Sequence, residues 1–93
     1  MSRTLSERAV LELLEGDVEV IERLEALGYI RRPRAPELTA EEAECARVAR
    51  TLVRELDVNW AGVDVVLRMR AEMLAMRRQV AELVALLRSH ERR

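Results

Sequence analysis

Along most of this chain apolar side chains recur every three to four positions, the period of an α-helix that buries one face. Residues 5 to 14, LSERAVLELL, place Leu5, Val10, Leu13 and Leu14 near one side. Thr4 and Glu7 have the spacing of a capping box, which would satisfy the first free amides of this helix. Gly16 can take the left-handed conformation that closes it, and Asp17 directly afterwards is a good N-cap for a second helix. From Val18 the series Val20, Ile21, Leu24, Leu27 keeps the helical period until Gly28 stops it at the C-cap position. YIRRPRAPEL then breaks the period. Each of its two prolines restricts the residue before it, which predicts an extended loop with room for one short strand. Thr39 and Glu42 form a second capping box, and Glu41, Glu42 and Glu44 suit the positive end of a helix. This third helix is expected to run to about Leu56 and to bury Leu38, Ala46, Ala49, Leu52, Val53 and Leu56. Arg47, Arg50 and Arg54 on its other face read as a solvated stripe.

Asp57 and Asn59 are turn and cap formers, and Asn59 is expected to start a last helix at Trp60. No proline, and no glycine after Gly62, interrupts the chain from there on. A helix of about 30 residues spans ~45 Å at 1.5 Å per residue, longer than a small domain can cover, so part of it must project or find a partner. Val66, Met69, Met73, Met76, Val80, Leu83 and Leu87 follow the alternating three-and-four spacing of a heptad seam, flanked by Arg70, Glu72, Arg77 and Gln79. Packing of this seam on a second copy of the chain is the expected arrangement, and folding back on the same chain the alternative; the spacing leaves open how two such helices would run. The methionines read as adaptable packing. The fold class expected is all-α, with a helix-turn-helix core, a short loop and a third helix in residues 1–58 and a long coiled-coil-like helix in residues 59–93, together one structural domain.

Ninety-three residues, about half of them apolar, suffice for one modest core. No run approaches the length of a membrane span and the N-terminus lacks an apolar leader, so a cytoplasmic location is expected. Charge is unevenly placed. Residues 1–46 hold six arginines and eleven acids, residues 47–93 ten arginines and six acids, and lysine is absent. Cys45 has no disulfide partner and falls within a helix, where a small buried thiol is expected. His90 stands alone in a polar tail. No pair has metal-ligand spacing, the three glycines form no phosphate cradle, and no nucleophile has a base placed beside it, so neither enzyme, cofactor nor metal is expected.

Two short helices around a tight turn, Leu27, Gly28 and Ile30 closing the second, a loop and a long terminal helix together resemble the MerR-like helix-turn-helix proteins. Within them the segment ELDVNWAGVDVVLRMRAEML, residues 55–74, is similar to the corresponding region of the CbpM-type chaperone modulators, through Glu55, Leu56, Trp60, Gly62, Val63, Val65, Leu67 and Met69. The resemblance implies a partner rather than a substrate, and the MerR-like relatives imply that the long helices of two copies pair antiparallel. CbpM-type proteins bind the J-domain of a DnaJ-like co-chaperone and restrain its stimulation of DnaK, and a related Thermus-type assembly factor holds DnaK and DnaJ together. RRPRAPEL is too short and too proline-rich for the wing hairpin of the DNA-binding relatives.

Charge on the second helix separates an adaptor from a DNA reader. Duplex affinity comes largely from arginine and lysine neutralising phosphates, whereas residues 17–28 carry Asp17, Glu19, Glu22 and Glu25 against Arg23 alone. Arg31, Arg32 and Arg34 could touch a DNA backbone but cannot specify a sequence. A J-domain presents a basic helix, by the same resemblance, so these acids, with Glu12 and Glu15 on the preceding helix, form the expected partner-binding surface. The alternative is a small MerR-like DNA-binding transcriptional regulator.

Overall fold

The computed structural model describes residues 3–92. It is mainly helical: a head built from three helices and a two-stranded sheet, and a long helix that starts within the head and runs out of it. The elements are β1 (Thr4–Ser6), α1 (Glu7–Leu13), α2 (Val18–Leu27), β2 (Glu37–Thr39), α3 (Ala40–Arg50), a π-helical segment (Thr51–Glu55) and α4 (Trp60–Glu91).

Strand β1 is the element the sequence pattern hid. It pairs antiparallel with β2, Thr4 opposite Thr39 and Leu5 opposite Leu38. The expected Thr4/Glu7 capping box is therefore absent: Thr4 lies in the strand, where its hydroxyl donates to Glu37 at 2.7 Å, and Ser6 caps α1 by accepting from the Ala9 amide at 3.2 Å. Three residues that alternate above and below a strand are too few to show a period against the helical one that follows. Helix α1 starts at Glu7 rather than near Leu5, and Leu13, expected on its buried side, is 66% exposed. Val10 and Leu14 anchor it, with Leu11 partly buried against the same core.

Helix α2 begins after Asp17 and ends at Gly28, whose φ of +90° lets the Tyr29 and Ile30 amides return to the Leu24 carbonyl. Val20, Ile21 and Leu24 are fully buried, while Leu27, the last residue of that series, is exposed. The second capping box is present as expected: Thr39 accepts from the Glu42 amide at 3.0 Å and Glu42 from the Thr39 amide at 2.8 Å. Beyond Arg50 the helix widens into the π-helical segment, so Leu56, expected in the core, comes out exposed. Asp57 reverses the chain with φ +55°, which aspartate tolerates better than most residues. Asn59 then caps α4 by accepting from the Gly62 amide at 2.8 Å.

The core holds Val10, Leu14, Val20, Ile21, Leu24, Ile30, Leu38, Ala46, Ala49, Val63 and Leu67. Each fully buried aliphatic side chain contributes on the order of 1.5–3 kcal/mol. Only the first turns of α4 join this core, through Val63 and Leu67. The molecule is accordingly elongated, 53 × 28 × 22 Å. Among the described residues no helix is long and apolar enough to cross a membrane.

Candidate functional site

The six acids of the expected partner surface lie on and around α1, α2 and the turn between them, and the fold sorts them into two groups. Asp17 sits at the N-cap of α2, but its side chain makes no cap bond. It accepts instead from Arg54, at 2.7 Å to Nε and 3.1 Å to a terminal nitrogen, and Arg50 Nε stands 3.9 Å away. The Arg54 hydrogen bonds hold the Asp17 carboxyl below its ordinary value, with burial opposing them. Arg50 also donates to Glu15 at 2.6 Å, and Arg54 lies 3.8 Å from Glu19. Glu25 is flanked by Arg32 at 3.6 Å and Arg34 at 3.8 Å, and Arg34 reaches Glu7 at 3.0 Å. Glu12 and Glu22 make no ion pair among the described residues, and both are exposed.

This arrangement corrects the reading of Arg50 and Arg54 as a solvated stripe. The end of α3 and the π-helical segment that carry them lie against the α1–α2 turn, where opposite charges meet across chain separations of 35 and 37 residues. Arg47 pairs locally with Glu44. A sequence signal for the long-range pairs did exist: the arginines Arg47, Arg50 and Arg54 at helical spacing and the three acids Glu15, Asp17 and Glu19, of opposite sign and similar extent.

Most arginines near α2 and the loop have partners within the chain, although Arg23, and Arg8 on α1, stay exposed without an ion pair among the described residues. Arg23, the one arginine of α2, stacks over the Trp60 ring at 5.7 Å from its centroid. Arg31 donates to Glu42 and to the Glu37 carbonyl, and Arg32 and Arg34 face Glu25. Glu42 is the hub of the loop. Only 7% exposed, it accepts from the backbone amides of Thr39 and Arg31 and from the Arg31 guanidinium. Burial acts to raise its pKa, yet these hydrogen bonds together outweigh burial and hold it below its ordinary value.

A second set of contacts, not foreseen from the sequence, ties the end of α2 to the start of α4. The Tyr29 hydroxyl donates to Asp64 at 2.5 Å, and Arg68 donates to the other Asp64 oxygen at 2.8 Å. The Tyr29 and Arg68 hydrogen bonds lower the Asp64 pKa, while burial foremost and Asp64 next raise that of Tyr29. Cys45 is buried beside α4, its thiol pushed up by burial, with Arg70 at 3.8 Å from sulfur. No group of three or more metal-ligating side chains occurs among the described residues.

All seven residues of the heptad seam, Val66, Met69, Met73, Met76, Val80, Leu83 and Leu87, are uncovered, at 36–65% exposure. The alternative of folding back on the same chain is overturned for the described residues: from Met76 to Arg92 every side chain of this segment is exposed. Val66, Met69, Arg70 and Met73 line an apolar depression of about 380 Å³, beside the Arg70–Glu41 ion pair that joins α4 to α3. Comparison with protein-family models, curated proteins and solved structures gives no match.

Proposed function

We propose that this chain is a non-catalytic, cytoplasmic adaptor of the MerR-like, CbpM-type kind, which as a homodimer binds the J-domain of a DnaJ-like co-chaperone and modulates or assembles the DnaK/DnaJ system. The observation that carries the choice of a protein partner is the state of the cations around α2. A helix that reads duplex DNA needs arginine or lysine free to displace counterions from phosphates. Here Arg23 is drawn onto Trp60, and Arg31, Arg32 and Arg34 are matched to carboxylates. What α1 and α2 offer outward is Glu12 and Glu22, with Glu19 half free, beside the two exposed arginines Arg8 and Arg23.

Net negative charge of this kind steers and orients a basic helix, and the order of elements is the one the resemblance implies. Asp17 and Glu25 shape the surface from below, since their carboxylates are engaged within the chain, while Glu15 pairs with Arg50 yet stays exposed. The apolar seam of α4 supports the homodimer.

Converting Glu12, Glu19 and Glu22 together to Gln tests the surface. Binding of a purified J-domain at low salt should weaken about tenfold, and its salt dependence should flatten. Unchanged binding assigns the contact to another face. Titration of labelled duplex DNA tests the class of partner: sequence-dependent affinity that falls steeply with salt would instead establish a transcriptional regulator.

A further inference from the structure

Arg23 has a carboxylate within reach along its own helix and does not use it. Glu19 stands four residues before it, the helical spacing of an ion pair, yet Glu19 lies 3.8 Å from Arg54, and Arg23 makes no ion pair among the described residues. The Arg23 guanidinium rests instead 5.7 Å from the centre of the Trp60 ring, and the side chain stays exposed. Trp60 opens α4 and is partly buried, packed against the core. Leu27, one helical turn after Arg23 and on the same side of α2, is 43% exposed. This side of α2 therefore presents an indole face with a cation over it, an apolar side chain one turn along, and the exposed carboxylates of Glu19 and Glu22.

These three kinds of group are the ones that hold a long cationic side chain. An aromatic face attracts its charged end, apolar surface covers its aliphatic stem, and carboxylates draw it in from a distance. We infer that the Trp60 ring is the anchoring point for an arginine or lysine on a basic helix of a protein partner, and that Arg23 occupies the ring as a tethered stand-in which this side chain displaces. The inference rests on the protein-partner reading above and names its anchor.

Charge selects the occupant. Residues 17–28 carry four acids against Arg23 alone, so the cation over the ring is the single like charge that a basic helix meets on α2. Its removal from the ring costs little, because an exposed contact of this kind is weak and Glu19, four residues back, offers the displaced guanidinium a carboxylate. The ring itself is held by its packing on the core, so a partner finds it already in position. Tryptophan in such a setting is the residue type that most often dominates an interface. The chain thus competes with its own partner for one aromatic face, and that competition lowers affinity.

The chain holds one tryptophan, so its emission reads this face directly. The probe is a tryptophan-free, alanine-based helical peptide with arginine at every fourth position, titrated at low salt into the full chain, with a purified J-domain titrated in parallel. Saturation with the peptide should change Trp60 emission. Arg23→Gln should bind the peptide about two- to fivefold more tightly than the unmodified chain, the affinity equivalent of one exposed contact between a cation and a ring. Arg8→Gln removes an equal charge from α1 and should gain less. Trp60→Leu, with its fold checked by circular dichroism, should abolish the difference that Arg23→Gln makes. An Arg23→Gln chain that binds no more tightly, an equal gain from Arg8→Gln, or peptide binding with unaltered emission would each overturn the inference, and none of the three depends on the tryptophan variant folding. Peptide binding in the expected pattern without J-domain binding would uphold the anchor and retire the J-domain reading. J-domain binding indifferent to Arg23 would do the reverse.

Discussion

Glu42 shows how one side chain can organise a loop that the sequence presents as irregular. Its carboxylate closes the capping box of α3, holds the Arg31 amide and guanidinium, and so fixes both ends of the segment between α2 and β2. Replacing it with Ala removes these acceptors and leaves two backbone amides and a guanidinium in search of partners. Glu42→Ala should destabilise the fold by about 2–3 kcal/mol, measured by urea unfolding followed by circular dichroism. Glu42→Gln should cost less, because one amide oxygen remains to accept. The same chemistry sets an acid limit. The Glu42 and Asp17 carboxyls titrate below their ordinary values of 4.5 and 3.8 in the folded chain. Their contribution is therefore complete at neutral pH and is lost as the pH falls from roughly 4.5 through their depressed values. The unfolding midpoint should be flat from pH 7 to about 5 and fall below that; a midpoint that holds steady to pH 3 would show that these pairs add nothing.

At the level of the elements, the informative joint is that between the π-helical segment and α4. Gly62 lies in the first turn of α4, and a Cβ there would come within 2.8 Å of Val58 Cγ1 and 3.3 Å of the capping oxygen of Asn59. Alanine ordinarily improves a helix by ~1 kcal/mol over glycine. Here the stiff valine and the cap must both give way, so Gly62→Ala should instead destabilise by about 1 kcal/mol, read as a melting temperature lower by several degrees. The π-helical segment itself places Arg54 over Asp17 and turns Leu56 outward, two consequences of one widened turn. A helix projected at the ordinary 3.6-residue period puts Leu56 inside. The expected length of α4, by contrast, needed only the absence of breakers.

For the whole molecule the decisive feature is the mismatch between a small head and a 32-residue helix. Val63 and Leu67 spend the first turns on the head core, and the remaining apolar stripe is left for something else to cover. Placing charge in its centre tests what covers it. The double variant Met73→Glu, Met76→Glu should sediment as a monomer with its head still folded, since neither side chain belongs to the core. Loss of the head's cooperative melting in that variant would mean that pairing and folding are one event.

Helices α2, α3 and α4, both stops at Gly16 and Gly28, the Thr39/Glu42 box and the cap at Asn59 were legible in the sequence because each depends on residues within four positions of one another. The heptad seam was legible for the same reason, and so was its need for a cover. Three things were decided only by tertiary structure. Strand β1 exists because β2, more than thirty residues away, offers it an edge. The acids of the α1–α2 turn are half neutralised because α3 and the π-helical segment deliver Arg50 and Arg54 to them, leaving Glu12 and Glu22 as the acids without an ion pair among the described residues. Arg23 stands over the Trp60 ring, while remaining exposed, because folding brings the start of α4 beside α2. Local periodicity and capping are properties of neighbours along the chain, whereas the sign of a surface is a sum over groups that only folding brings together.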